Sequence, residues 1–147
     1  MVPGGEDGFT TQQVKKITGA SIVLLDNWHR SGFLSPSIEE APGRGITRQY
    51  GFRDLVAIRV VLDLRSSGIS MQSMRKVVTY LRARKGLSAT DVLASTSLIT
   101  DGHDVYEVEG DVTLSTLRKP GQRGFFVLPL DELVSEVQSK ARAMRAA

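Results

Sequence analysis

Up to Gly86, apolar residues recur at spacings of three and four, the period of helices lying on a core. Val14 and Ile17 belong to a first short helix, with Thr10 as its N-cap and Gln13 as the capping-box partner. Gly19 ends it, because glycine takes the left-handed turn cheaply. Ser21 caps a second helix running to about Arg30, with Leu24, Leu25 and Trp28 as its apolar stripe. Gly32 stops this helix, and Phe33 and Leu34 pack back before the chain turns at Pro36. Residues 38–50 hold two glycines and a proline and read as a loop or small hairpin, with Arg44 and Arg48 as its basic residues. A third helix starts near Phe52, with Leu55, Ile58, Val61, Leu62 and Leu64 on one side and Arg53, Arg59 and Arg65 off that stripe. Gly68 ends it, and Ser70 caps a fourth helix with Met71, Met74, Val77, Val78 and Leu81 inside. Arg82, Arg84 and Lys85 crowd the last turn of that helix, where cations suit its dipole.

After Gly86 the pattern changes. Ser88 and Asp91 mark a short helix over residues 89–94. Residues 98–100 and 105–108 are β-like runs flanking Asp101-Gly102-His103-Asp104, a hairpin signal. Leu114 and Leu117 suggest one helical turn, residues 124–128 a third strand, and Asp131 the cap of a final helix carrying Leu133, Val134, Val137, Ala141 and Met144. The expectation is a mostly α chain. Residues 1–8 form a flexible start, and residues 9–87 a winged helix-turn-helix of four helices plus a wing. Residues 88–147 form a small α+β module with a short antiparallel sheet and a C-terminal helix. A unit of about 60 residues is marginal alone and leans on its neighbour or a partner.

Charge divides along the same boundary. Residues 1–87 carry 13 Lys+Arg against 7 Asp+Glu, and residues 88–147 carry 6 against 9, so +6 and −3 give the net +3. A basic first half suits a polyanion; the alternative is solvated surface charge. The absence of cysteine excludes disulfides and thiolate metal sites. No apolar run approaches the roughly 20 residues of a membrane span, and no signal peptide stands before the first helix, so a cytoplasmic protein without a membrane partner is expected. Asp101, His103 and Asp104 would be the one candidate metal or acid–base cluster. A turn also places Asp and Gly there for backbone reasons, and no second cluster completes a site, so no enzyme, metal or cofactor is expected.

Several motifs in order carry a resemblance. Phe9-Thr10 with Val14 is similar to an opening Y-T-I-x-x-V, and Thr18-Gly19-Ala20-Ser21 to the turn that follows it. Leu25, Trp28 and Ser31-Gly32-Phe33-Leu34-Ser35-Pro36 are similar to L-x-x-W/Y-x-x-x-G-L-L-x-P. Arg48-x-Tyr50 with Asp54-Leu55 is similar to R-x-Y-x-x-x-D-L, and the run from Leu64 to Ser70 to L-x-x-x-G-x-S. In that order, residues 9–84 resemble the MerR family of winged-helix bacterial transcriptional regulators.

The resemblance implies that the second helix enters the major groove of double-stranded DNA while the wing grips the flanking backbone. It implies DNA contacts from Ser21, Asn27, Arg30, Arg44, Arg48, Tyr50 and Arg53, since guanidinium forks and hydroxyls satisfy phosphate oxygens. For Tyr50 the alternative is a half-buried core aromatic. Val23 and Asp26 stand where the family often has arginines, so direct base reading is thin and specificity leans on DNA shape and the wing. His29 stands where the family usually has an acid; it meets a phosphate or is an ordinary partly exposed histidine. Many members dimerise through a long helix that strands replace here. The terminal helix, residues 131–147, is the substitute, either pairing across a two-fold axis as a homodimer or packing on its own sheet. The leading expectation is a dimeric regulator on an inverted repeat. The other is an antitoxin-like protein whose acidic residues 88–147 bind a basic toxin while its first half represses their operon.

Overall fold

The computed structural model describes residues 8–38, 49–100, 105–107, 126–127 and 130–146. They form six helices and three short strands: α1 (Thr11–Thr18), α2 (Ile22–Ser31), α3 (Phe52–Ser66), α4 (Met71–Lys85), α5 (Ala89–Ser95), β1 (Leu98–Thr100), β2 (Val105–Glu107), β3 (Phe126–Val127) and α6 (Leu130–Ala146).

Side-chain caps set the helix starts as the sequence predicts. Thr10 and Gln13 exchange both bonds of a capping box, at 3.2 and 2.9 Å. Ser21, Ser70 and Ser88 each accept a backbone N–H three residues on, at 3.1 Å in every case. Gly19 and Gly32 close α1 and α2 at φ 88° and 78°, a region where a Cβ would be strained. α3 ends one residue before Ser67, and Gly68 follows at φ 99°.

α3 is buried almost all round, with Leu55, Val56, Ala57, Ile58, Val60, Val61 and Leu64 in the core. α1, α4, α5 and α6 pack on it, while α2 packs on α1. α1 supplies Val14 and Ile17, α2 Leu25 and Trp28, α4 Met74, Val78 and Leu81, and α5 Val92 and Leu93. Arg59 departs from the expected exposed face. Only 14% of its side chain is accessible, and it is ion-paired to Glu136 on α6.

β1 is the centre of an antiparallel sheet ordered β2-β1-β3, with Ile99 opposite both Tyr106 and Val127. β1 is wholly buried, which fits a central strand. The described parts of β2 and β3, residues 105–107 and 126–127, lie within the runs the sequence predicts.

The final helix differs from expectation twice. It begins at Leu130, so Asp131 lies in its first turn and is not its cap. Among the described residues it packs chiefly on α1 and α3 of its own chain instead of on the sheet, with Leu133, Val137 and Ala141 buried. At its end Arg145 stacks over Phe9, 4.2 Å from the ring centre, and donates to the Gly8 carbonyl at 2.9 Å. Residues 1–7, the body of the wing with Arg44 and Arg48, the 101–104 turn and the expected helical turn at Leu114 and Leu117 lie outside the described residues.

Candidate nucleic-acid interface

The turn between α1 and α2 is fastened by one hydroxyl. Thr18 Oγ1 donates to the Val14 carbonyl at 2.7 Å and accepts from Ala20 N at 3.1 Å. With Gly19 left-handed between them, this fixes the angle at which α2 leaves α1. α2 is anchored from beneath by Leu25 and Trp28. Trp28 meets Phe33 edge-to-face, with ring centres 6.0 Å apart and planes at 72°. Its carbonyl accepts from both Phe33 N and Leu34 N.

With that face locked, the opposite one is presented to solvent. Val23, Asn27 and Arg30 recur at four and three residues and are all exposed, Val23 at 68%. Arg30 Nη2 donates to Asn27 Oδ1 at 3.1 Å, so the amide steers the guanidinium along the helix. Ser21 is exposed at the start of the same helix, with its oxygen engaged in the cap. Asp26 is half-buried beside this face, and His29 Nδ1 lies 3.2 Å from Ser35 Oγ. Val23 is the most exposed large apolar residue among the described ones. Read only as a lost arginine it looks empty, yet it stands two residues from Leu25 and therefore off the buried stripe. An exposed branched methyl pair can meet a thymine methyl.

The wing springs from two β-bridges, Phe9 with Tyr50 and Ile38 with Gln49. Phe9 and Tyr50 exchange both backbone bonds at 2.8 Å. Tyr50 itself is 2% exposed, so the structure favours the core alternative over a phosphate contact from its hydroxyl. Asp54 ties the base together. Its Oδ2 accepts from Ser37 N, Ser37 Oγ and Gly51 N at 2.7–2.8 Å, and its Oδ1 from Thr90 Oγ1 at 3.2 Å. Arg53 lies one residue away with 59% of its side chain exposed, and its Nε bonds Asp91 Oδ1 at 2.9 Å. Ser21, Asn27 and Arg30 thus share one helix, while Arg53 stands at the wing base turned toward α5. Among the described residues no group of three or more His, Cys, Asp or Glu side chains is placed to hold a metal ion, and no helix is long and apolar enough to cross a membrane.

A short helix, a glycine turn, a second helix held from below and presented outward, and a wing base beside it define the winged helix-turn-helix class. Within that class, residues 9–81 match the MerR HTH family of regulatory proteins, and this part of the chain belongs to that family. It is 33% identical over 124 residues to an uncharacterized HTH-type transcriptional regulator of Mycobacterium bovis and to counterparts in two strains of Mycobacterium tuberculosis. The match covers 84% of this chain and 53% of each relative, so the chain spans about half the length of the curated relatives it matches.

Proposed function

We propose that this chain is a DNA-binding transcriptional regulator that lays α2 in the major groove and its wing along the flanking backbone. The outward stripe of Val23, Asn27 and Arg30, on a helix whose other face is locked by Leu25 and Trp28, carries this reading. Asn27 and Arg30 supply donors for base edges or phosphates, Ser21 meets the backbone at the start of the helix, and Val23 meets a thymine methyl. Arg44, Arg48 and Arg53 grip phosphates around the wing. Tyr50 serves from the core by holding the wing base in place. Binding to an inverted repeat requires two copies, and their contact uses a surface other than the Leu133–Val137–Ala141 stripe, which α6 already buries.

Anisotropy of the chain with the DNA upstream of its own gene, titrated over salt against a scrambled duplex, tests the proposal. Tight, salt-steep binding that prefers the native fragment is expected. Equal and weak binding to both would remove the sequence-reading role and turn attention to residues 88–147 and a protein partner, as the antitoxin-like reading requires.

A further inference from the structure

Four of the five cations of α4 fall into two groups. Arg84 and Lys85 are engaged within the chain, reaching Glu107 on β2 at 2.8 and 3.1 Å. Lys85 also donates to Thr96 Oγ1 at 3.2 Å. Arg75 and Arg82 point elsewhere. They are seven residues apart on one helix face, a separation of about 10 Å along the axis.

Both line a cleft at the C-terminal end of α2, shared with Ser31, Gly32 and Phe33. A neighbouring cleft of about 310 Å³ continues past Arg82 to Ser35 and Arg53. Arg75 lies 5.6 Å from the centre of the Phe33 ring, with Nη2 3.4 Å from Ser31 Oγ. Among the described residues neither Arg75 nor Arg82 is ion-paired, whereas Arg53, Arg59, Arg84 and Lys85 are. Asp91, paired to Arg53, also lines this second cleft.

We propose that Arg75 and Arg82 form a second phosphate clamp, gripping the DNA strand that passes the C-terminal end of α2. This rests on the DNA-binding reading above and adds α4 to its footprint. Over about 10 Å of helix axis one strand of duplex DNA presents about three phosphates, so two guanidinium forks on this face match its charge spacing. The Phe33 ring and Ser31 hold Arg75 in place beside α2, so it is positioned for the phosphate before DNA arrives. Phosphate contacts carry no sequence information, so the clamp adds affinity and register and leaves base preference to α2.

The test is a salt series of anisotropy titrations with the full chain, on the upstream DNA and on a scrambled duplex. It compares the unmodified chain with Arg75→Gln/Arg82→Gln, Arg75→Lys/Arg82→Lys and Arg84→Gln. Losing two phosphate contacts reduces the slope of log affinity against log salt by about 1.8. The double glutamine variant is expected to show that loss, with affinity falling by the same factor on both duplexes. The double lysine variant is expected to keep the slope, which separates lost charge from lost fold, and Arg84→Gln to leave it unchanged. A slope unaltered in the double glutamine variant, or reduced as much in Arg84→Gln, overturns the clamp while leaving the DNA-binding reading intact. An unmodified chain that binds neither duplex at low salt overturns both.

Discussion

Asp54 is 3% exposed, yet its carboxylate accepts hydrogen bonds from the residue before the wing, the residue after it and a hydroxyl on α5. A charge so placed is stable only while those donors stay in position. Replacing it with alanine leaves Ser37 N and Gly51 N without their acceptor and unties Thr90 from the wing base. Asp54→Ala is therefore expected to destabilise the chain by about 2–3 kcal/mol. Urea melts would read this, with far-ultraviolet circular dichroism little changed. An unchanged midpoint would mean that water replaces the carboxylate at no cost. On α2, Asn27→Ala removes the acceptor that steers Arg30. Both side chains are exposed, so stability should stay within about 0.5 kcal/mol of the unmodified chain while affinity for the operator falls. A variant that binds as before would take Asn27 out of the interface.

At the scale of elements, the helix ends were the most legible part of the sequence. Thr10, Ser21, Ser70 and Ser88 act within three residues of themselves, so nothing distant can override them. The stripes of α1, α2 and α4 follow from period alone. What the sequence hid depends on where an element lands. Arg53 meets Asp91 from 38 positions away and Arg59 meets Glu136 from 77, and neither pairing has a local signature. Tyr50 and Arg48 look alike as motif positions, but the bridge to Phe9 turns Tyr50 into the core. The spacing of Leu133, Val137 and Ala141 shows α6 as an amphipathic helix, while the surface it covers follows only from the fold.

That docking carries a pH dependence. Hydrogen bonds from Arg59 first and Lys140 next hold the Glu136 carboxyl below its usual 4.5, outweighing a smaller upward push from burial. A depressed carboxylate contributes stability that is present above its unfolded value and lost as pH falls through the folded one. Nearby Asp63 runs the other way. Burial raises its carboxyl above the usual 3.8, helped by Glu136 and opposed by Arg59, so its protonation in acid offsets part of the loss. Glu136 is 44% exposed, so the pair is screened and worth on the order of 0.5–1 kcal/mol. Glu136→Gln should melt below the unmodified chain at pH 7, with the gap closing as pH drops below 4.5. A gap that persists in acid would assign the loss to packing instead of charge.

Among the described residues the buried side chains form one cluster across the whole molecule, running from Phe9 and Val14 through α3 to Val92 on α5, Leu98 on β1 and Leu133 and Val137 on α6. The basic first half and acidic second half are thus distinct in charge and continuous in packing. Their junction is made by α3, whose residues are buried against α1 on one side and α5 and α6 on others. If the cluster is one energetic unit, a cavity anywhere in it lowers the same transition. Leu55→Ala in α3 and Leu133→Ala in α6, at 0% and 3% exposure, should each cost about 2–4 kcal/mol and shift a single calorimetric peak together. Two peaks, with Leu133→Ala moving only one, would show that residues 88–147 fold as a module of their own. The outcome also bears on function. In a single cooperative unit, a partner that binds α6 or the sheet stabilises the wing base through Asp54 and Thr90, so events on the acidic half reach the DNA-facing half through the core.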